Sequence, residues 1–166
     1  MLDDLVGAPC LQFDAVDICQ TDNGPTIDVD GATATLLVGP HATNCESTLV
    51  SNVAHEAVHL HLTDGKQGDA SGLEEGFAVH FELSAVERHY GAGERQRHID
   101  HLPATYLTAL RDYEHLLTLE FNPAKLVRQR HGALSGVSRR DLRRLFPGVS
   151  WWMSYRLARR RRMRSG

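Results

Sequence analysis

Residues 49–62 read LVSNVAHEAVHLHL, and this stretch carries the clearest structural signal in the chain. Its apolar residues recur at the three- and four-residue spacing of a buried helix face, which predicts a helix from about residue 43 to residue 63. Thr43 and Glu46 are three residues apart and fit a capping box at the start of this helix. The pentapeptide HEAVH, residues 55–59, therefore lies within the predicted helix.

The spacing within HEAVH is that of a metal site. Positions i and i+4 of a helix lie about 40° apart around the axis, so His55 and His59 can offer ring nitrogens to one ion. Glu56 follows His55 directly and reaches the edge of the same site, where a general base accepts a proton from an activated water. Zinc suits these donors, and a catalytic zinc needs a third protein ligand and an open position for water.

A third ligand is expected on the next helix. A glycine-containing loop follows the first helix, and a second helix is predicted from about residue 72 to residue 90. Ser71 and Glu74 fit a capping box at its start. Glu74 and Glu75 both lie in its first turn, and geometry alone does not choose between them. Glu82 is seven residues after Glu75, on the same helix face, from which it can hydrogen-bond a ligand histidine.

HEAVH followed after fifteen residues by EGFA resembles the gluzincin metallopeptidases of the peptidase MA-like superfamily, in a compact single-domain form. The resemblance covers residues 50–84. It implies zinc-dependent hydrolysis of peptide bonds, with zinc held by His55, His59 and Glu75. By the same alignment, Glu74 stands where the aminopeptidase branch has asparagine, beside the ligands. It also implies an edge strand beside the active-site helix, along which a peptide or protein substrate adds.

A hydrolase of this type also needs a hydrogen-bond donor that stabilises the oxyanion. The related enzymes use tyrosine or histidine, which makes Tyr90, Tyr106 and His98 candidates, although no motif supports any of them. Two alternative functions stay open. One is an HExxH regulatory protease that cleaves repressor proteins, and the other is a non-catalytic zinc-binding module.

The remaining pattern predicts an α+β fold. Residues 10–20 alternate apolar and polar positions as a strand does, and TIDVDGATATLLVG, residues 26–39, is typical of a hairpin with its turn at Asp30-Gly31. Helices are predicted at about 103–121, from Asn122-Pro123 to Gly132, from Ser138 to Phe146 and from Ser150 onward. The expected fold is zincin-like: a small antiparallel sheet, the active-site helix, the glutamate helix and a mostly helical C-terminal half.

Length and composition predict one domain, residues 1–158, with an arginine-rich, frayed tail at 159–166. No membrane span and no secretory signal are recognised, and the three cysteines show no disulfide or CxxC pattern, so a cytoplasmic protein is expected. Charge is uneven: residues 1–87 hold one basic and fifteen acidic residues, and residues 88–166 hold seventeen basic and six acidic ones. A nucleic-acid partner for the basic half is the less favoured interpretation of this asymmetry.

Overall fold

The computed structural model describes residues 2–62 and 70–159. Within these ranges the chain is α+β, as predicted, and has three strands and eight α-helices. The strands are β1 (Ala15–Gln20), β2 (Thr26–Asp30) and β3 (Thr33–Val38). The helices are α1 (Leu2–Val6), α2 (Glu46–Leu62), α3 (Gly72–Tyr90), α4 (Ala92–His101), α5 (Ala104–Leu119), α6 (Pro123–His131), α7 (Arg139–Leu145) and α8 (Trp151–Ala158). Most of the predicted loop after α2 and most of the predicted tail lie outside the described residues.

The predicted hairpin is confirmed. β2 pairs antiparallel with β3, from Thr26 opposite Leu37 to Asp30 opposite Thr33. Gly31 occupies the turn with a φ of 60°. This is a left-handed conformation that glycine adopts without steric cost, which explains why Asp30-Gly31 marks the turn.

The prediction of a purely antiparallel sheet is wrong, because β1 pairs with β3 in parallel and the strand order is β1-β3-β2. β1 and β2 are consecutive in the chain, yet β3 lies between them. The central position suits β3 because its alternate residues Ala34, Leu36 and Val38 are all buried, whereas every residue of β1 is exposed. The strand with the most apolar face therefore takes the most covered place.

Helix α2 packs against the sheet. Leu60 is buried with Ala34 and Leu36, and Phe13 and Val53 pack at the margin of this cluster. Burial of this apolar surface stabilises the position of the helix relative to the strands.

The predicted cap of α2 at Thr43 is wrong. Residues Ala42–Asn44 form a separate 3-10 turn, and α2 begins only at Glu46. Cys45 between them is extended, with φ −147° and ψ 112°, so the turn and the helix are not continuous.

Helix α3 has the predicted bounds because both of its ends are specified locally. The N–H of Glu74 donates to Ser71 Oγ at 3.2 Å, as an N-cap requires. Gly91, with a φ of 87°, follows the last residue of the helix. Within α3, Gly76 permits close contact with α5: a Cβ built there would lie 2.4 Å from the carbonyl oxygen of Ala109 and 2.8 Å from Tyr113 Cβ.

The caps predicted for α6 and α7 are confirmed. Asn122 accepts from the N–H of Lys125 with Pro123 as the first helical residue, and Ser138 accepts from the N–H of Asp141. Gly132 ends α6 in the left-handed conformation, with a φ of 80°.

An ion pair joins α5 and α8. The guanidinium of Arg156 donates to both carboxylate oxygens of Asp112, at 2.7 and 2.6 Å. The Asp112 side chain is only 6% exposed, so this bidentate pair supplies the hydrogen bonds that a buried carboxylate needs.

The described residues form two compact units. One contains the sheet, α2, the part of α3 from Phe81 onward, and α4. The other contains α1, residues 72–80 of α3, and α5 to α8. The predicted domain, residues 1–158, includes both. Within the described ranges, no helix combines the length and the apolar character that crossing a membrane would require.

Candidate metal centre

The three ligands predicted for zinc lie together in the structure. His55 and His59 on α2 and Glu75 on α3 each offer one ligand atom, and these atoms all lie within 4.8 Å of one another. His55 and Glu75 are buried, and His59 is partly exposed. Among residues 2–62 and 70–159, this is the one group of three or more such side chains with that spacing. The group contains Glu75 and not Glu74, the alternative that geometry had left open.

The two imidazoles face a common point. His55 Nε2 and His59 Nε2 are 3.1 Å apart, and the rings meet edge to face with their centroids at 4.9 Å. Two nitrogens bound to one tetrahedral zinc ion at about 2.0–2.1 Å would lie roughly 3.3–3.4 Å apart. The observed separation is close to that value, so small adjustments of the rings suffice for both nitrogens to bind one ion.

The donor set fits a divalent transition metal, zinc among them. Imidazole nitrogen suits zinc, copper, iron and nickel, and a carboxylate oxygen is compatible with each of these. Three protein donors leave further coordination positions for water or substrate, as catalytic sites require. The donors therefore limit the class of metal without selecting one member of it.

Glu82 makes the contact expected of it. Its Oε2 lies 2.8 Å from His55 Nδ1, and both side chains are buried. A carboxylate can only accept in this contact, so Nδ1 carries the proton and Nε2 presents its lone pair. Glu82 thereby holds His55 in the tautomer that a ligand needs. Because Glu75 and Glu82 are two turns apart on α3, that helix carries both a candidate ligand and the partner of the candidate ligand His55.

The predicted general base, Glu56, follows His55 directly on α2 and is only 4% exposed. Glu74 is also buried, in the first turn of α3.

The three candidate oxyanion donors lie on three different helices. Tyr90 is the last residue of α3 and is 40% exposed, and Tyr106 is a partly buried residue near the start of α5. His98, on α4, has its Nε2 at 3.2 Å from Ser47 Oγ and at 3.6 Å from Glu94 Oε1. His98 is not part of the His55–His59–Glu75 group.

A polar network at the start of α2 was not anticipated from the sequence. Ser47 contacts the carboxylate of Glu94, and Arg97 contacts the same carboxylate. Cys45 Sγ lies 3.3 Å from Ser47 Oγ and 3.7 Å from Arg97 Nη2. Hydrogen bonds from Ser47 first, then from Thr48 and Arg97, lower the pKa of the Cys45 thiol to about 6.

Part of this network could have been recognised from residues adjacent to Cys45 in the sequence. Ser47 and Thr48 follow Cys45 at the start of a helix, where side chains and backbone N–H groups commonly lower a thiol pKa. Arg97 is 52 residues further along the chain, and no pattern in the sequence connects it to Cys45.

Comparison of the chain with protein-family models, with curated proteins and with solved structures gives no significant match. The gluzincin resemblance therefore rests on the motif residues within 50–84 alone.

Proposed function

We propose that this protein is a metal-dependent peptidase, with zinc as its metal. The observation that carries the proposal is the His55–His59–Glu75 group, whose ligand atoms all lie within 4.8 Å of one another on two helices. Glu82 adds support because it orients a ligand histidine, as outer carboxylates do in many zinc sites. Glu56, next in the chain to His55, supplies the base that hydrolysis requires.

In this proposal His55, His59 and Glu75 hold the ion. When bound, zinc acts as a Lewis acid that polarises the scissile carbonyl and makes a water molecule acidic. The Glu56 carboxylate accepts one proton from the attacking water and delivers it to the amine nitrogen as the carbon–nitrogen bond breaks. Glu82 keeps the Nδ1 proton of His55 in place throughout, so that His55 remains a neutral ligand.

The test is Glu56→Gln, compared with Glu46→Gln as the matched control. Glu46 is an exposed glutamate at the first position of the same helix. The Glu46→Gln variant therefore measures the effect of losing a carboxylate from α2 without changing His55, His59 or Glu75. Each variant and the unaltered protein would be digested against a peptide library, with chelator-treated samples in parallel. Bound metal would be measured by mass spectrometry.

Glu56→Gln is expected to lower the rate of cleavage by roughly 10²–10⁴-fold while the metal content stays unchanged. Glu46→Gln is expected to alter neither. Chelation should abolish cleavage in every active sample. If the unaltered protein binds metal stoichiometrically but cleaves no peptide of a broad library, the non-catalytic zinc-binding module is the better interpretation. Cleavage of a repressor protein alone would favour the regulatory-protease alternative.

A further inference from the structure

Helix α8 presents three large aromatic rings to solvent. Trp151 is 48% exposed, Trp152 is 67% exposed and Tyr155 is 37% exposed. The opposite side of the same helix is anchored, because Ser154 and Leu157 are buried. Exposed aromatic side chains gathered on one short helix are unusual on a surface that contacts only water, and they mark a place of interaction.

Arginine side chains lie over these rings. Arg139 Cζ is 5.2 Å from the centre of the Trp151 ring and 5.6 Å from that of Tyr155, and Arg159 Cζ is 6.0 Å from the Tyr155 ring. The Trp151 and Tyr155 rings are parallel to within 5°. These contacts are within cation–π range, so the guanidinium groups and the rings form one surface. We refer to Trp151, Trp152, Tyr155, Arg139 and Arg159 as the aromatic–arginine surface.

The charge around this surface is strongly positive. The segment 139–159 contains six arginines and one acidic residue, Asp141. Arg143 and Arg144, on α7, are also exposed. Asp141 itself lies 2.6 Å from the hydroxyl of Ser138 at the helix cap. The charge complement of such a surface is a polyanion.

We propose that the aromatic–arginine surface binds single-stranded nucleic acid, with bases stacked on the exposed rings and phosphates paired with the guanidinium groups. Flat rings beside cationic side chains are the combination by which proteins bind single strands without sequence readout. Trp152 is the most exposed of the three rings, at 67%, and meets Trp151 edge to face at 4.6 Å between centroids, so it offers the largest ring area to a base.

A membrane surface is the less fitting occupant. Helices that lie in a bilayer interface insert a continuous apolar face that includes aliphatic side chains. On α8 the aliphatic Leu157 is buried, the exposed residues are aromatic, and the exposed residues that flank the helix are Ser150 and Arg159. Charge and ring geometry together therefore favour nucleic acid over lipid.

The test measures binding of fluorescein-labelled oligothymidylate and oligouridylate to the full-length chain by anisotropy, over a range of salt concentrations. Trp151 and Trp152 are the two tryptophans of the protein, so quenching of intrinsic fluorescence reports directly on this surface. Trp152→Ala is compared with Phe121→Ala, which removes a ring that is 92% exposed and outside the surface. Arg139→Ala is compared with Arg111→Ala, an exposed arginine on α5.

Trp152→Ala should weaken binding roughly tenfold or more, whereas Phe121→Ala should leave it unchanged. Trp152→Phe, which retains a ring, should restore much of the lost affinity. Arg139→Ala should reduce the slope of log affinity against log salt by about 0.7, and Arg111→Ala should not. A duplex of the same length should bind more weakly, because its bases are already stacked. Circular dichroism of each variant verifies that it is folded.

Equal losses from the two aromatic variants, or from the two arginine variants, would overturn the proposal in favour of diffuse charge attraction. Equal binding of the duplex would do the same. A last experiment adds vesicles of phosphatidylglycerol and phosphatidylcholine. Quenching of tryptophan fluorescence by the vesicles that the oligonucleotides do not reverse would overturn the proposal and assign the surface to lipid.

Discussion

Replacing Gly76 by alanine should destabilise the protein through steric overlap with α5. In the folded chain the new Cβ would lie 2.4 Å from the carbonyl oxygen of Ala109 and 2.8 Å from Tyr113 Cβ, whereas ordinary contacts of such an atom begin near 3.4 Å. The nearest obstacles are a backbone oxygen and a Cβ, so rotation of a side chain cannot relieve the overlap. Helices α3 and α5 would have to separate by about 1 Å, which loosens packing along their contact.

The magnitude follows from a comparison with Gly93. A Cβ added at Gly93, in α4, would meet nothing within 4 Å. Both substitutions gain the helix propensity of alanine over glycine, up to about 1 kcal/mol. Overpacking a filled contact costs about 1–3 kcal/mol. The difference in unfolding free energy between Gly76→Ala and Gly93→Ala therefore isolates the steric cost, about 1–3 kcal/mol.

Thermal unfolding followed by circular dichroism would measure this difference. For a chain of this length, 1 kcal/mol corresponds to a shift in melting temperature of about 2–4 °C. Gly76→Ala should therefore unfold about 2–12 °C below Gly93→Ala, at equal helical content before the transition. The same melting temperature for both variants would refute the close contact of α3 with α5 at Gly76.

Three further predictions concern single side chains. Glu82→Gln should weaken metal binding roughly 10–100-fold without removing a ligand, because His55 loses its carboxylate partner; competition with a fluorescent chelator measures this, and unchanged affinity would contradict the positioning role. The rate of alkylation of Cys45, measured by peptide mass spectrometry, should rise with pH with a midpoint of about 6, because the lowered pKa leaves the reactive thiolate present above that pH. In urea the midpoint should return to about 8.5, the ordinary value for a thiol. The same midpoint in the folded and unfolded states would contradict the lowered pKa. Arg156→Met should cost about 3 kcal/mol, since it leaves the buried Asp112 carboxylate without its bidentate partner. Asp112→Asn should cost only about 1 kcal/mol, because the Arg156 side chain is 38% exposed and reaches water; urea denaturation compares the two, and equal costs would contradict this asymmetry.

The elements that the sequence predicts well are those whose ends are specified by neighbouring residues. Ser71 caps α3 through the N–H of Glu74, and Gly91 follows the last residue of α3. Both ends of this helix can therefore be predicted from a few neighbouring residues. The Asp30-Gly31 turn specifies its hairpin in the same way. The parallel pairing of β1 with β3 depends on competition among strands for the covered central position, and the pattern within β1 alone does not reveal its outcome.

The same distinction applies to the candidate site. The spacing of His55 and His59 predicts their common direction, and the seven-residue spacing from Glu75 to Glu82 predicts that both occupy one face of α3. The choice of Glu75 over Glu74 rests on the resemblance, and Glu75 is the one of the two that lies close to His55 and His59. The lowered pKa of Cys45 is only partly predictable: Ser47 and Thr48, its main causes, are neighbours in the chain, whereas Arg97 is brought close only by the tertiary fold.

Buried acidic side chains are concentrated on α2 and α3. Five carboxylate side chains are buried in the described part of the chain, whereas no lysine or arginine there is buried. Asp112, on α5, pairs with Arg156. The other four lie on α2 and α3: Glu56, Glu74, Glu75 and Glu82, of which Glu82 pairs with His55. Burying several like charges close together lowers stability unless a positive charge offsets them. In the proposed site, a divalent ion held by His55, His59 and Glu75 would add two positive charges beside these carboxylates. Under that proposal, metal binding is therefore expected to stabilise the folded chain.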